Sequence, residues 1–295
     1  MPIYLKGLLI TLFGVLTIAP DTLLIRLIDA DHWAQAFWRS ILSGSTVLVF
    51  VIVVARGRVL APFRGFGWAA VALTLGFGLG NLLFVYSVTH TLVANTLFIL
   101  ATMPVFAALI ARFVLGETVG ARTWITIAVT LGGIGVIAFG SARGAGGGSL
   151  AGDLAALGVA VLMATNFSIA RVKRARSAVP FLALGTLLSG AVAWGVAGGA
   201  VALPRQDWIW MGLMGLWVVP VAFICISTGP RYLPAADVSL LMLLEAVFGP
   251  LLVWAVLGEW PGGWTLAGGA IVLGALAVSN LVLLAGSGRA RRAAI

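Results

Sequence analysis

Long apolar runs without charge dominate the chain, and no strand-like alternation of apolar and polar positions appears. The longest run, from Gly65 to Ala111, carries no charged residue over 47 positions. A helix rises about 1.5 Å per residue and the hydrocarbon core of a bilayer is about 30 Å thick, so one crossing takes about 20 residues. This run therefore predicts two helices, with a reversal near residues 87–91.

The remaining runs have the same character, and together they predict ten spans. Their bounds are 5–28, 33–55, 66–88, 91–113, 121–141, 150–170, 179–201, 207–229, 234–257 and 263–285. Because exposed loops and open sheet edges do not survive in hydrocarbon, the predicted fold is an all-α integral membrane bundle. The first span lacks a small-x-small cleavage site, so we expect it to be retained.

Composition strengthens this prediction. Of the 295 residues, 61% are hydrophobic and 9% are charged, which excludes a water-soluble domain. The net charge of +9 fits a membrane protein, because the cytoplasmic loops of such proteins collect Lys and Arg. It therefore does not point to a nucleic-acid partner. One cysteine, Cys225, excludes an internal disulfide, and with only His32 and His90 as histidines we expect neither a metal site nor a cofactor.

The basic residues predict an orientation. If the N-terminus is cytoplasmic, 14 of the 18 Lys and Arg residues fall on that side of the membrane. We therefore expect both termini to lie in the cytoplasm. The expected location is the inner membrane of the cell, which the chain would cross several times. The 14 residues are Lys6, Arg56, Arg58, Arg64, Arg112, Arg122, Arg171, Lys173, Arg174, Arg176, Arg231, Arg289, Arg291 and Arg292.

A glycine-rich linker at 142–149 divides the chain into five spans and five spans. We expect a first repeat at 1–141, a second at 150–285 and a basic cytoplasmic tail at 286–295. A shift of 142 residues superposes the halves with 13 identities in the 42 positions from Ala94 to Gly135, and a shift of 145 pairs Asp21 with Asn166. Because five is odd, the second repeat must enter the membrane from the opposite side. Such inverted repeats are typical of secondary transporters.

Several short motifs resemble the ten-helix EamA-type branch of the drug/metabolite transporter superfamily, in the same order and over nearly the whole chain. They are Phe37-Trp38-Arg39-Ser40, Met103-Pro104-Val105-Phe106, Leu115-Gly116-Glu117, Gly152-Asp153-Leu154, Leu244-Glu245 and Leu257-Gly258-Glu259. Ile18 and Met163 depart from the family pattern, which often has Trp there. Ala246 also departs from it, since a Pro usually follows the Glu of helix 9.

The resemblance implies gradient-driven export of small metabolites, amino acids included. The absence of a phosphate-binding Gly-x-x-x-x-Gly-Lys-Ser/Thr motif agrees with a transporter that does not use ATP. The expected partners are a small-molecule substrate and membrane lipid. The same fold would also permit a flippase for lipid-linked sugars or drugs. An enzyme acting on lipids is disfavoured, because no nucleophile or metal-ligand motif accompanies the two histidines and one cysteine.

Three ionisable residues within predicted spans are candidates for function, because charge there is costly and usually serves a cavity or a partner. Asp21 follows Pro20, a helix-breaking residue, and has either a substrate or proton role or a structural partner such as Arg26. Arg39 is suited either to clamp a carboxylate bidentately or to form a fixed structural pair. Glu245 is the deepest acid and is either a proton carrier or a hydrogen-bonded structural residue.

Neutral and aromatic residues extend the candidate lining. Asn81, Asn95, Thr102 and Asn166 are polar groups within spans, and Asn95 and Thr102 are seven positions apart, on one helical face. Trp38, Phe77, Phe98 and Trp217 are candidates for an aromatic wall, with core or lipid packing as the alternative for each. Besides Pro20, we expect Pro104 and Pro250 to break helices and serve gating.

Overall fold

A computed structural model of the protein describes residues 3–56, 63–116, 118, 120–144, 148–172, 177–228, 232–233 and 235–292. Every regular element in these residues is a helix, which confirms the predicted all-α class. Glu117 and residues 145–147 of the predicted linker lie outside the described residues. So do five of the basic residues assigned to the cytoplasmic side, namely Arg58, Lys173, Arg174, Arg176 and Arg231.

Thirteen α-helices follow one another in the described chain. They are α1 (Ile3–Ile18), α2 (Asp21–Leu27), α3 (His32–Val54), α4 (Trp68–His90), α5 (Val93–Leu100), α6 (Met103–Phe113), α7 (Ala121–Ala142), α8 (Leu150–Val172), α9 (Val179–Val196), α10 (Trp208–Leu213), α11 (Val219–Thr228), α12 (Ala235–Leu257) and α13 (Gly262–Arg292). A 3₁₀ turn, Arg205–Asp207, precedes α10, and a π-helical segment, Met214–Val218, joins α10 to α11.

The predicted spans correspond to these helices. Nine helical stretches of the described chain are long and apolar enough to cross a membrane, and a shorter apolar stretch, Leu241–Leu257, accounts for the tenth. Two bounds differ from the sequence prediction by more than two residues. The seventh span ends at Val196 and not at residue 201, and α13 continues to Arg292 through the segment predicted as a tail.

Two spans are interrupted beside a proline. The first consists of α1 and α2, which are separated at Ala19 and Pro20, and the fourth consists of α5 and α6, which are separated at Ala101 and Thr102. Pro104 lies in the first turn of α6, where the missing N–H has no intrahelical acceptor to lose. The breaks therefore lie where the proline ring is compatible with a new helix start.

The expectation of a break at Pro250 is wrong, since α12 runs through this residue without interruption. A single interior proline removes one intrahelical hydrogen bond, and close packing can hold the helix together. That packing is present, because a Cβ atom at the preceding Gly249 would overlap Leu97 of α5.

Contacts between the two halves follow a two-fold pattern. Helix α3 packs on α9, α7 on α13 and α5 on α12, while α4 packs on α8 much as α1 packs on α11. If the ten spans are numbered in chain order, the packed pairs are span 2 with 7, 5 with 10, 4 with 9, 3 with 6 and 1 with 8. Exchanging each span n with span n+5 leaves the set unchanged. The halves are therefore interleaved, and each helix of one half is held mainly by the other.

The main apolar core lies where both interrupted spans meet the second half. It contains Leu24 and Ile25 of α2, Phe98 of α5, Met214 of the π-helical segment and Val253 of α12. The polar residues described next are set into this core.

Candidate functional site

A buried ion pair lies at the break of the first span. Asp21, the first residue of α2, is 2% exposed, and Arg39 of α3 is 4% exposed. The Arg39 Nη2 atom is 2.8 Å from Asp21 Oδ2, and Nε donates to Oδ1 at 3.5 Å. The guanidinium therefore meets the carboxylate with two nitrogens, the geometry that makes Arg–carboxylate pairs strong.

A hydrogen-bond network continues from Arg39 into α4 and α9. The Arg39 Nη1 atom donates to Asn81 Oδ1. The Asn81 Nδ2 atom in turn donates to Ser40 Oγ at 2.8 Å and to Ser189 Oγ at 2.9 Å. The ring of Phe84 lies 5.3 Å from the guanidinium. We refer to Asp21, Arg39, Asn81, Ser40 and Ser189 as the central network.

Asp21, Arg39 and Asn81 of the central network are among the site residues predicted from the sequence, whereas Ser40 and Ser189 are not. Ser40 directly follows Arg39, and this neighbour relation was the available signal. Ser189 is one of several small residues in α9, and no pattern distinguishes it. Both hydroxyls are buried, and they lie 2.8 Å from each other.

Glu245 lies in α12, which packs against α2 and α5. Its side chain is partly exposed. No hydrogen-bond or ion-pair partner of Glu245 occurs in the part of the chain that the structure describes. The Glu245 carboxylate therefore retains binding capacity.

Asn95 and Thr102 do not join the central network. The Thr102 Oγ1 atom donates to the backbone carbonyl of Ile99 at 2.6 Å, and Asn95 belongs to a different polar cluster. The break between α5 and α6 lies between the two residues, and their shared lining face stays a prediction.

Asn166 of α8 is 1% exposed. Neither Oδ1 nor Nδ2 of its side chain has a hydrogen-bond partner among the described residues. The amide lies directly against α4, where a Cβ atom at Gly76 would overlap it. Asn166 is therefore a buried amide packed against α4, and it is not part of the central network.

The four predicted aromatic residues do not form one wall. Trp38 and Phe98 belong to the main core, whereas Phe77 packs in a separate cluster with Phe66 and Phe181. Trp217 lies in the π-helical segment with 56% of its surface exposed. Phe77 therefore fits the alternative of core packing, and Trp217 does not join the cluster that contains Trp38 and Phe98.

Trp38 instead links the halves near one end of the bundle. Its Nε1 atom donates to the carbonyl of Val201 at 2.7 Å, and its ring lies 4.6 Å from that of Trp208 in an edge-to-face arrangement. We call this end, at which α2 ends and α3 begins, the distal end.

Polar contacts between the halves concentrate at the distal end. The Arg26 Nη2 atom is 3.2 Å from Glu259 Oε2, and the Val93 N–H donates to Glu259 Oε1 at 2.8 Å. The backbone N–H of Asp29 donates to Asp207 Oδ2 at 2.9 Å. Residues of the first half thus meet acids of the second half, and these contacts hold the distal end together.

Comparisons with known proteins agree with this architecture. A family described as the EamA-like transporter family matches residues 5–139 and, a second time, residues 150–281. No curated protein matches the sequence.

A solved structure, described as "Crystal structure of protein", is similar in fold. It is 20% identical to this chain, covers 94% of this chain and 98% of its own, and superposes with a TM-score of 0.66. At this identity the likeness concerns the fold alone.

Proposed function

The chain belongs to the EamA-like transporter family, and from that premise we propose that it is a secondary transporter that exports small amphipathic metabolites, with amino acids as the preferred class. As a member of this family, the chain is a multi-pass membrane protein that transports small solutes, and it is not an enzyme. The substrate class, the direction of transport and the location in the inner membrane are parts of the proposal.

Alternating access between two inverted repeats is the proposed mechanism. The repeats correspond to residues 1–141 and 150–285, joined by the linker at 142–149, and both termini face the cytoplasm. The two-fold pattern of contacts supports this proposal, because exchangeable halves can adopt inward-open and outward-open shapes about one central site. The contacts at the distal end would then form the barrier on the outer side.

The single observation that carries the substrate class is the central network beside Glu245. A zwitterionic substrate needs a cation for its carboxylate and an anion for its ammonium group. Arg39 already binds one carboxylate with two nitrogens, that of Asp21, so a substrate carboxylate would compete with Asp21 for the same guanidinium. Glu245, on the neighbouring α12, would receive the ammonium group.

Flux measurements test this proposal. Purified protein in proteoliposomes should exchange labelled neutral or aromatic amino acids, in preference to nucleosides and cationic drugs. Arg39→Gln and Glu245→Gln should each abolish flux while the protein remains folded. Arg112→Gln is the matched control, since Arg112 is an exposed residue of α6, and it should retain wild-type flux.

Absence of flux for every amino acid, with folded protein, would overturn the substrate class. Wild-type flux in Glu245→Gln would instead remove the proposed role of Glu245 and leave the class in place. Transbilayer movement of a labelled lipid-linked sugar in the same vesicles would favour the flippase function of this fold.

A further inference from the structure

A second polar cluster lies at the distal end, apart from the central network. It contains Thr91, Asn95, Ser141, Asp153 and Thr265, all of which are buried. Thr91 follows α4, Asn95 lies in α5 and Ser141 in α7, whereas Asp153 and Thr265 belong to α8 and α13 of the second half. The cluster therefore joins both halves of the bundle.

Oxygen atoms converge on one point of this cluster, the side-chain nitrogen of Asn95. The Nδ2 atom lies 3.0 Å from Asp153 Oδ1, 2.9 Å from Ser141 Oγ and 3.3 Å from Thr91 Oγ1. An amide nitrogen carries two hydrogens, so three acceptors are one more than it can serve fully. Thr91 Oγ1 also donates to Asp153 Oδ1 at 2.7 Å and accepts the backbone N–H of Ser149 at 3.1 Å, so among the described residues the hydrogen bonds to the Asp153 carboxylate are confined to one of its two oxygens.

Asp153 is the acid of this cluster. Its side chain is 3% exposed, and its Oδ2 atom has no hydrogen-bond partner among the described residues. No basic side chain in the described parts of the chain lies within 4.0 Å of it. A buried carboxylate with an unpaired oxygen is strongly unfavourable unless a cation compensates it.

The neighbouring charges do not supply that cation. Arg26 reaches the backbone carbonyl of Thr91 at 2.6 Å, but its ion-pair partner is Glu259. The N-terminus of α8 contributes a partial positive charge near Asp153. Oδ2 has no partner among the described residues, and the first-turn N–H of Gly152 donates instead to Ser149 Oγ at 3.5 Å.

We propose that this cluster is a Na⁺-binding site. Its protein ligands would be Asp153, Thr91 and Ser141, joined by the Oδ1 atom of Asn95 after the amide rotates by about 180°. The two amide orientations have nearly the same shape, so this rotation needs no backbone movement. In the rotated state Nδ2 would donate to Thr265 Oγ1, which now donates to Oδ1 at 2.6 Å.

The ligand chemistry selects the ion class. Hydroxyl, amide and carboxylate oxygens suit hard cations. A single carboxylate among neutral oxygens matches an ion of one positive charge. The described residues contain no group of three or more His, Cys, Asp or Glu of the kind that holds other metal ions. The chain closes tightly over the site, since a Cβ atom at Gly148 would lie 2.5 Å from Ser141 Oγ.

Because the ligands come from both halves, bound Na⁺ would hold the distal end closed. This inference goes beyond the proposed function and does not depend on the substrate. The test is thermal unfolding of the purified full chain in NaCl, KCl or N-methyl-D-glucamine chloride at constant ionic strength. Na⁺ should raise the unfolding midpoint by about 3 °C in a saturable manner, and the other two cations should not.

Asp153→Asn should remove the Na⁺ shift. Asp31→Asn should retain it, because Asp31 lies at the same end of the bundle with 59% of its side chain exposed. Identical midpoints in NaCl and N-methyl-D-glucamine chloride, or a full shift in Asp153→Asn, would overturn the proposal.

A second measurement covers the case in which Asp153→Asn does not fold. Direct binding of ²²Na⁺ to the wild-type protein should saturate at one ion per chain. Ser141→Ala should weaken that binding several-fold, because it removes one ligand and leaves the carboxylate in place. Failure of the wild-type protein to bind ²²Na⁺ would contradict the site even if amino-acid flux is observed.

Discussion

Arg26 and Glu259 form an ion pair between the two halves of the bundle, with 3.2 Å between Nη2 and Oε2. Their side chains are 26% and 19% exposed, so water screens the pair less than it screens a surface pair. Glu259 also accepts the backbone N–H of Val93. One carboxylate thus connects the end of α2 with the start of α5, and it does so from the second half.

Glu259→Gln should therefore open the distal end more often. Loss of a partly buried, hydrogen-bonded pair costs about 1–2 kcal/mol, which corresponds to an increase of about 5- to 30-fold in the open population. Maleimide labelling of Leu92→Cys, in a Cys225→Ser background, measures this opening because Leu92 is 5% exposed.

Two further variants make this prediction specific. Arg205→Gln, a change at an exposed residue of the same end, should leave the labelling rate unchanged. The charge exchange Arg26→Glu with Glu259→Arg should restore slow labelling in part. An unaltered rate in Glu259→Gln would mean that this pair does not hold the distal end.

The Asp21–Arg39 pair should behave as a unit. Asp21→Asn and Arg39→Gln should each lower the free energy of unfolding by about 3–5 kcal/mol, because each leaves the other charge buried without its partner. The double variant should cost less than the sum of the single changes. Chemical or thermal unfolding in detergent measures all three, and strict additivity would show that the two side chains do not interact.

The sequence was sufficient for the spans and for the choice of charged residues. Span length depends on the thickness of the bilayer, and an intramembrane charge is conspicuous among apolar neighbours. Asp21, Arg39 and Glu245 could therefore be selected before any contact was known.

The partners of these residues could not be read from the sequence. The sequence offers Arg26 as a partner for Asp21, but residues five apart on a helix are rotated by about 140° from each other, and the two side chains have different partners, Glu259 and Arg39. The rotation of α3 against α2 and α4, which brings Arg39 to Asp21, is decided by packing between distant segments. Asn95 and Thr102 illustrate the same limit, because their spacing fits one face only in an unbroken helix.

Two equally buried asparagines should respond differently to truncation. Asn95 and Asn166 are each 1% exposed, but Asn95 makes four side-chain hydrogen bonds, whereas Asn166 has no partner in the described residues. Asn95→Ala should lower the free energy of unfolding by about 2–4 kcal/mol, and Asn166→Ala by less than about 1 kcal/mol. Unfolding midpoints compare the two, and an equal loss would show that burial alone sets the cost.

Two adjacent glycines of α7 should respond in opposite directions to the same change. A Cβ atom at Gly133 would lie 2.8 Å from Val272 Cγ2 and 3.0 Å from the carbonyl oxygen of Gly268, both in α13. Gly133→Ala should force α7 and α13 apart and cost about 1–3 kcal/mol. At Gly132 a Cβ atom would meet nothing within 4 Å, so Gly132→Ala should stabilise the helix by about 0.5–1 kcal/mol.

Thermal unfolding of the two variants, side by side, measures this difference. Both substitutions add one methyl group to the same helix, so helix propensity and side-chain hydrophobicity are matched between them. A difference in midpoint therefore reports the contact between α7 and α13 alone. If both variants were stabilised equally, α7 and α13 would not approach each other as closely as Gly133 and Gly268 indicate.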